Sequence, residues 1–133
     1  MTFAVLCSHA IYRDGLFSIL EAGLESFTVD GYPSLIAPTL AVKLDFVPAD
    51  FGEASTLRVT VEHEDGERLS EVGFAITYNP PITEPSALTY FTALIHSLPL
   101  QLRRDGTYQV NISLNAETER PIRFQAMSRL PAV

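Results

Sequence analysis

Only one cysteine, one lysine and no tryptophan occur among the 133 residues of this chain. The lone Cys7 excludes an internal disulfide and fits a reducing compartment. A metal site needs three or four ligands at suitable spacing. Cys7, His9, His63 and His96 provide neither Cys-x-x-Cys nor His-x-x-x-His, so no metal is expected. A thiol nucleophile would need a base and a group to orient it. No strand-to-helix elbow surrounds Cys7, which reads as a small buried hydrophobe beside an edge or surface His9. Glycine-rich phosphate loops and the Gly-x-Ser-x-Gly elbow are missing too. The chain therefore offers no catalytic set and no cofactor site.

Long apolar runs are also lacking. None approaches the ~20 residues of a spanning helix. No basic segment precedes Phe3–Leu6, and Ser8, His9 and Arg13 interrupt the apolar residues that follow. The chain reads as soluble and cytoplasmic. Positive charge is scarce, with 9 bases against 16 acids and a formal net charge of -7. That sign repels phosphate backbones and anionic membrane surfaces, so neither nucleic acid nor membrane is an expected partner. Glu62–Glu67 is the densest acidic stretch. It reads as a solvated hairpin tip, with weak cation binding as the alternative.

What the chain does have is alternation. In Tyr108–Asn115, Tyr108, Val110, Ile112 and Leu114 fall on one face and Gln109, Asn111, Ser113 and Asn115 on the other. That is the pattern of a strand with one face on a core. The same period runs through Thr39–Val47, Ser55–His63, Arg68–Tyr78 and Ile122–Met127. Asp14-Gly15, Asp65-Gly66 and Asp105-Gly106 mark turns, the first two inside hairpins. Gly31–Pro38 reads as a loop, Pro48–Ala54 as room for one helical turn, and Asn79–Pro85 as a rigid connector. About eight short strands are predicted, in one domain over residues 1–133. The expected fold is all-β, an antiparallel two-sheet β-sandwich of immunoglobulin-like or C2-like type. Tyr108, just after a Gly turn, sits where such folds place a tyrosine corner, its hydroxyl bonded to backbone a few residues upstream.

Two segments fail to alternate. Leu88–Ile95 is apolar on both faces, with Leu88, Tyr90 and Leu94 on one and Phe91, Ala93 and Ile95 on the other. Phe3–Ile11 is similar. A strand apolar on both faces needs a cover, which a loop, a helix or another subunit could supply. Leu88, Tyr90, Phe91, Leu94 and Ile95 are the candidate interface residues.

The chain resembles a family of small uncharacterised bacterial proteins, common among actinobacteria. The likeness is carried by Val5-Leu6-Cys7-Ser8-His9-Ala10, by Gly15–Gly23, and by the Pro33 and Pro38 loop before Leu40-Ala41-Val42-Lys43-Leu44. The Asp65-Gly66 hairpin and the Gly106-Thr107-Tyr108 strand fit its plan. Ser8-His9 departs from the Asp-Ala usual there. The resemblance implies the fold and a cytoplasmic setting, and brings no activity.

The expectation is a non-enzymatic interaction or assembly module, binding a protein partner or itself through an apolar sheet face or edge. Homo-oligomerisation is part of that expectation. A structural subunit of a phage or phage-derived particle is one alternative; a small-ligand-binding or enzymatic sandwich is another.

Overall fold

Strand propensity and period-two patterning dominate the computed structural model, which describes residues 3–13, 16–46, 48–78, 90–118 and 121–129. Among the described residues thirteen strands run in chain order: β1 (Phe3–Cys7), β2 (His9–Arg13), β3 (Leu16–Leu20), β4 (Ser26–Val29), β5 (Ser34–Ile36), β6 (Thr39–Phe46), β7 (Ala54–His63), β8 (Arg68–Thr77), β9 (Tyr90–Ser97), β10 (Leu100–Leu102), β11 (Gly106–Leu114), β12 (Glu117–Thr118) and β13 (Ile122–Ser128). A 3-10 turn, Pro48–Asp50, lies between β6 and β7. The protein is all-β, as its patterning predicts.

The strands form four sheets. The largest has the order β4-β13-β11-β7-β8, with β12 paired to β11. A second has the order β1-β6-β9, and β10-β5 and β2-β3 form two-stranded sheets. Pairing is antiparallel except between β13 and β4. Thirteen strands replace the expected eight because short segments pair separately. Ser34–Ile36, inside the predicted loop, bonds to Leu100–Leu102. Phe3–Arg13 is broken at Ser8, so its halves join different sheets.

The inward rows read from the sequence meet in one apolar core. It holds Leu40, Val42, Leu44 and Phe46 from β6, Leu57, Val59 and Val61 from β7, and Tyr108, Val110 and Ile112 from β11. Leu6, Leu98, Leu100, Leu102, Phe124 and Ala126 complete much of it. Tyr108 stacks on Phe124 at a centroid distance of 5.2 Å. Its hydroxyl donates to the Arg104 carbonyl at 2.7 Å, four residues upstream. This is the predicted tyrosine corner. It lets a large ring be buried without leaving its polar atom unpaired.

β6 is central in its sheet, and on its other face Ala41 is buried, Thr39 and Lys43 are half-buried and Asp45 is exposed. Ala41 belongs to a second, smaller cluster with Cys7 and Ala10, flanked by Val5, Phe17, Ile19 and Ile95. Phe17 and Ile19 come from β3 and Ala10 from β2, so the β2-β3 hairpin covers the outer side of β1-β6-β9 around Cys7, Ala41 and Ile95. At Cys7, Ala41 and Ile95 the cover comes from a hairpin of the same chain.

Removing the corner hydroxyl while keeping the ring isolates its contribution. Tyr108→Phe is expected to lower unfolding stability by about 1 kcal/mol, read from the urea midpoint with the slope unchanged.

Candidate functional site

Cys7 and His9 do not form a site. Cys7 is fully buried at the end of β1, with Sγ 3.5 Å from the Thr39 carbonyl oxygen. Burial pushes its thiol pKa up. His9 begins β2 with its side chain exposed. His63 lies on β7, and His96, on β9, packs its ring edge-on against Phe74. The three histidines thus have separate neighbours. Among the described residues no group of three or more His, Cys, Asp or Glu is placed to hold a metal ion.

The acidic tip is a hairpin turn, as its sequence suggests, but it is tied down rather than merely solvated. His63 is only 7% exposed. Its Nε2 lies 3.0 Å from the Asp105 carbonyl oxygen, and the Asp65 amide approaches Nδ1 at 3.2 Å. The first contact places a proton on Nε2, an assignment made from its carbonyl partner, and Nδ1 also lies 3.0 Å from Asp65 Oδ1. Gly106 permits this seating: its φ is +139°, and a Cβ there would lie 2.4 Å from His63 Nε2. The Glu67 amide donates to Asp65 Oδ1 at 2.9 Å. Arg104 pairs with Asp65 and with Glu67, the latter at 2.7 Å, and Arg103 lies 3.7 Å from Glu67. The basic doublet is therefore matched to the acids of the tip.

Asp105 extends the network. Its Oδ1 accepts from the Tyr32 hydroxyl and from the Ser128 amide, the latter at 2.8 Å. Sequence reading assigns Asp105 only to a turn and misses these long-range partners. The Asp-Gly signal locates the turn but does not say what the carboxylate reaches. The whole cluster clamps the β7-β8 turn to the β10-β11 turn beside the tyrosine corner.

Two of the five predicted interface residues, Leu94 and Ile95, are half-buried against separate apolar clusters. Leu88 lies outside the described residues. Tyr90 and Phe91 open β9, where the ladder pairs them with Phe46 and Asp45. Leu94 packs on the main core, while Ile95 packs on the cluster beneath the hairpin. The chain itself thus contacts the opposite faces of β9 at these two residues.

An exposed apolar surface lies one layer further out. In the hairpin, Ala10, Tyr12, Phe17 and Ile19 are buried or half-buried, and the alternate residues point away. Ile11 is 44% exposed, Leu16 72% and Leu20 62%. The ladder sets His9 opposite Leu20, Ile11 opposite Ser18 and Arg13 opposite Leu16. The hairpin is anchored at both ends. Phe17 packs edge-on against Phe3 and Tyr12 at 5.1 and 4.9 Å. At the other end the Ser8 amide and hydroxyl both donate to the Leu20 carbonyl at 3.1 Å. The Gly23 and Leu24 amides donate to the Leu6 carbonyl at 2.8 and 3.1 Å. Leu16 and Leu20 are aliphatic, and only the hairpin's placement turns them outward.

Native Cys7 is expected to react with a maleimide far more slowly than the same thiol in denaturant, as followed by mass spectrometry. A rate in buffer equal to that of a free thiol would contradict its burial. Asp65 gives a pH prediction. The hydrogen bond from the Glu67 amide, followed by its contacts with His63 and Arg104, holds its carboxyl below the usual value of 3.8. A lowered folded-state pKa contributes stability above the unfolded value, and that contribution disappears as pH falls through the folded one. Asp65→Asn should therefore be less stable than wild type near neutrality, with the gap closing on acidification below about pH 4. Urea titrations at several pH values measure it.

Comparison with curated proteins returns no match. Residues 2–127, nearly the whole chain and every strand but the end of β13, match a family defined by shared sequence alone. The chain belongs to the family of unknown function DUF6941.

Proposed function

We propose that this chain is a non-enzymatic protein-interaction module, working in a reducing cytoplasm, whose contact surface is the outer face of the β2-β3 hairpin. The observation that carries this reading is the juxtaposition of Ile11, Leu16 and Leu20, all exposed, on one face of a firmly seated element. Scattered exposed apolar residues are ordinary, whereas a group on one rigid face favours a partner. Among the described residues β2 and β3 pair only with each other, so their outer edges are also free for strand addition. A net charge of -7 favours protein over nucleic acid or an anionic membrane.

The underlying scaffold in this reading is an immunoglobulin-like or C2-like two-sheet sandwich, with the hairpin as an added outer layer. The tyrosine corner and the one core shared by the two larger sheets support it.

A photo-crosslinking residue at Ser18, expressed in the native host, tests the surface. One discrete protein adduct is expected, absent when Leu16→Glu is added and absent when the crosslinker sits at exposed Gln125 on β13. No adduct from Ser18, or the same adduct from both positions, overturns the proposal.

A further inference from the structure

The occupant of the hairpin face can be narrowed by charge. Residues 1–20 contain one acid, Asp14, and one base, Arg13, so the whole net charge of -7 resides in residues 21–133. The outward row of the hairpin is His9, Ile11, Arg13, Leu16, Ser18 and Leu20, without a carboxylate. We infer that this face receives the same face of a second copy, in an isologous two-fold pair packed hairpin to hairpin, an inference that rests on the interaction reading above.

In an isologous contact every patch meets itself. A patch bearing carboxylates would then set like charges against each other, and in a molecule this acidic most of the surface carries that penalty. The hairpin face carries no carboxylate; its aliphatic side chains Ile11, Leu16 and Leu20 can meet their own kind, and Arg13, the one fixed charge in the row, lies at the turn end of the ladder. Leu35 on β5 and Met127 on β13 are exposed too, but they lie on other sheets and do not extend the patch. The face is also pre-organised. The Phe3–Phe17 ring contact and the bonds to the Leu20 and Leu6 carbonyls hold the hairpin against β1 before any partner arrives, which limits the ordering cost of association. A standard interface takes about 800 Å² from each partner. Two five-residue strands supply its centre rather than its whole extent, so the pairing is expected to be reversible and concentration-dependent.

Sedimentation equilibrium of the full chain from ~10 µM to ~1 mM tests this, a range that spans dissociation constants of weak pairs. Wild type is expected to shift from monomer to dimer and no further. Leu16→Glu with Leu20→Glu should stay monomeric throughout, and Ser18→Glu should raise the dissociation constant at least tenfold. Leu35→Glu should leave it unchanged. Circular dichroism and the urea midpoint check that each variant folds, and Ser18→Glu keeps the test valid should the double variant fail to fold. A wild type that is monomeric at ~1 mM overturns the second-copy inference, as does a dimer indifferent to Ser18→Glu and the double variant. The interaction reading would then stand only if the Ser18 crosslink joins the chain to a different protein; if that adduct is also missing, both fall.

Discussion

The burial of β6 along its whole inner row, and at Ala41 on its outer side, is the constraint on which much of the architecture depends. One face carries Leu40, Val42, Leu44 and Phe46 into the main core, opposite rows from β7 and β11. The other carries Ala41 into contact with Cys7 and Ala10. Small side chains on that outer side let a second layer of backbone approach closely, and the β2-β3 hairpin occupies the position. Larger residues there would be overpacked, which commonly costs about 1–3 kcal/mol. The hairpin thereby becomes a lid with two unlike faces. Its inner face completes the molecule, while its outer face presents aliphatic side chains to whatever lies outside.

At one end of the largest sheet a polar network has a different role. His63, Asp65, Glu67, Arg104 and Asp105 connect two turns next to the Tyr108 corner. Such residue types invite a search for metal or acid-base chemistry. Their hydrogen bonds point elsewhere: a histidine ring bridging two backbone segments, and carboxylates held by arginines and by turn amides. The cluster orders turns around a buried ring. That leaves the apolar hairpin face, rather than the polar tip, as the surface with unmet potential for contact.

The alternation of β6, β7, β8, β11 and β13, the Asp65-Gly66 hairpin and the Tyr108 corner can all be read directly from the sequence, because each depends on residues near one another in the chain. The short β5 could not be, because its strand character comes from pairing with β10 some sixty residues away. Nor does Asp105 reveal its bonds to Tyr32 and Ser128, which depend on how three distant segments converge. For the candidate site, the sequence showed that Phe3–Ile11 and Leu88–Ile95 were too apolar for a strand with one wet face. It could not say which residues would provide the cover and which would be left exposed.

The sequence by itself determined an all-β chain, its inward rows, its acidic surface and the absence of recognisable catalytic spacing. Period-two patterning and turn chemistry are local properties, and net charge is a sum over residues. Only the tertiary structure decided that Ile95 lies beneath a hairpin while Leu16 and Leu20 face outward. All three are aliphatic residues in apolar strands. Burial depends on which sheet lies over which, a relation set by long-range packing and not by the residues' immediate neighbours.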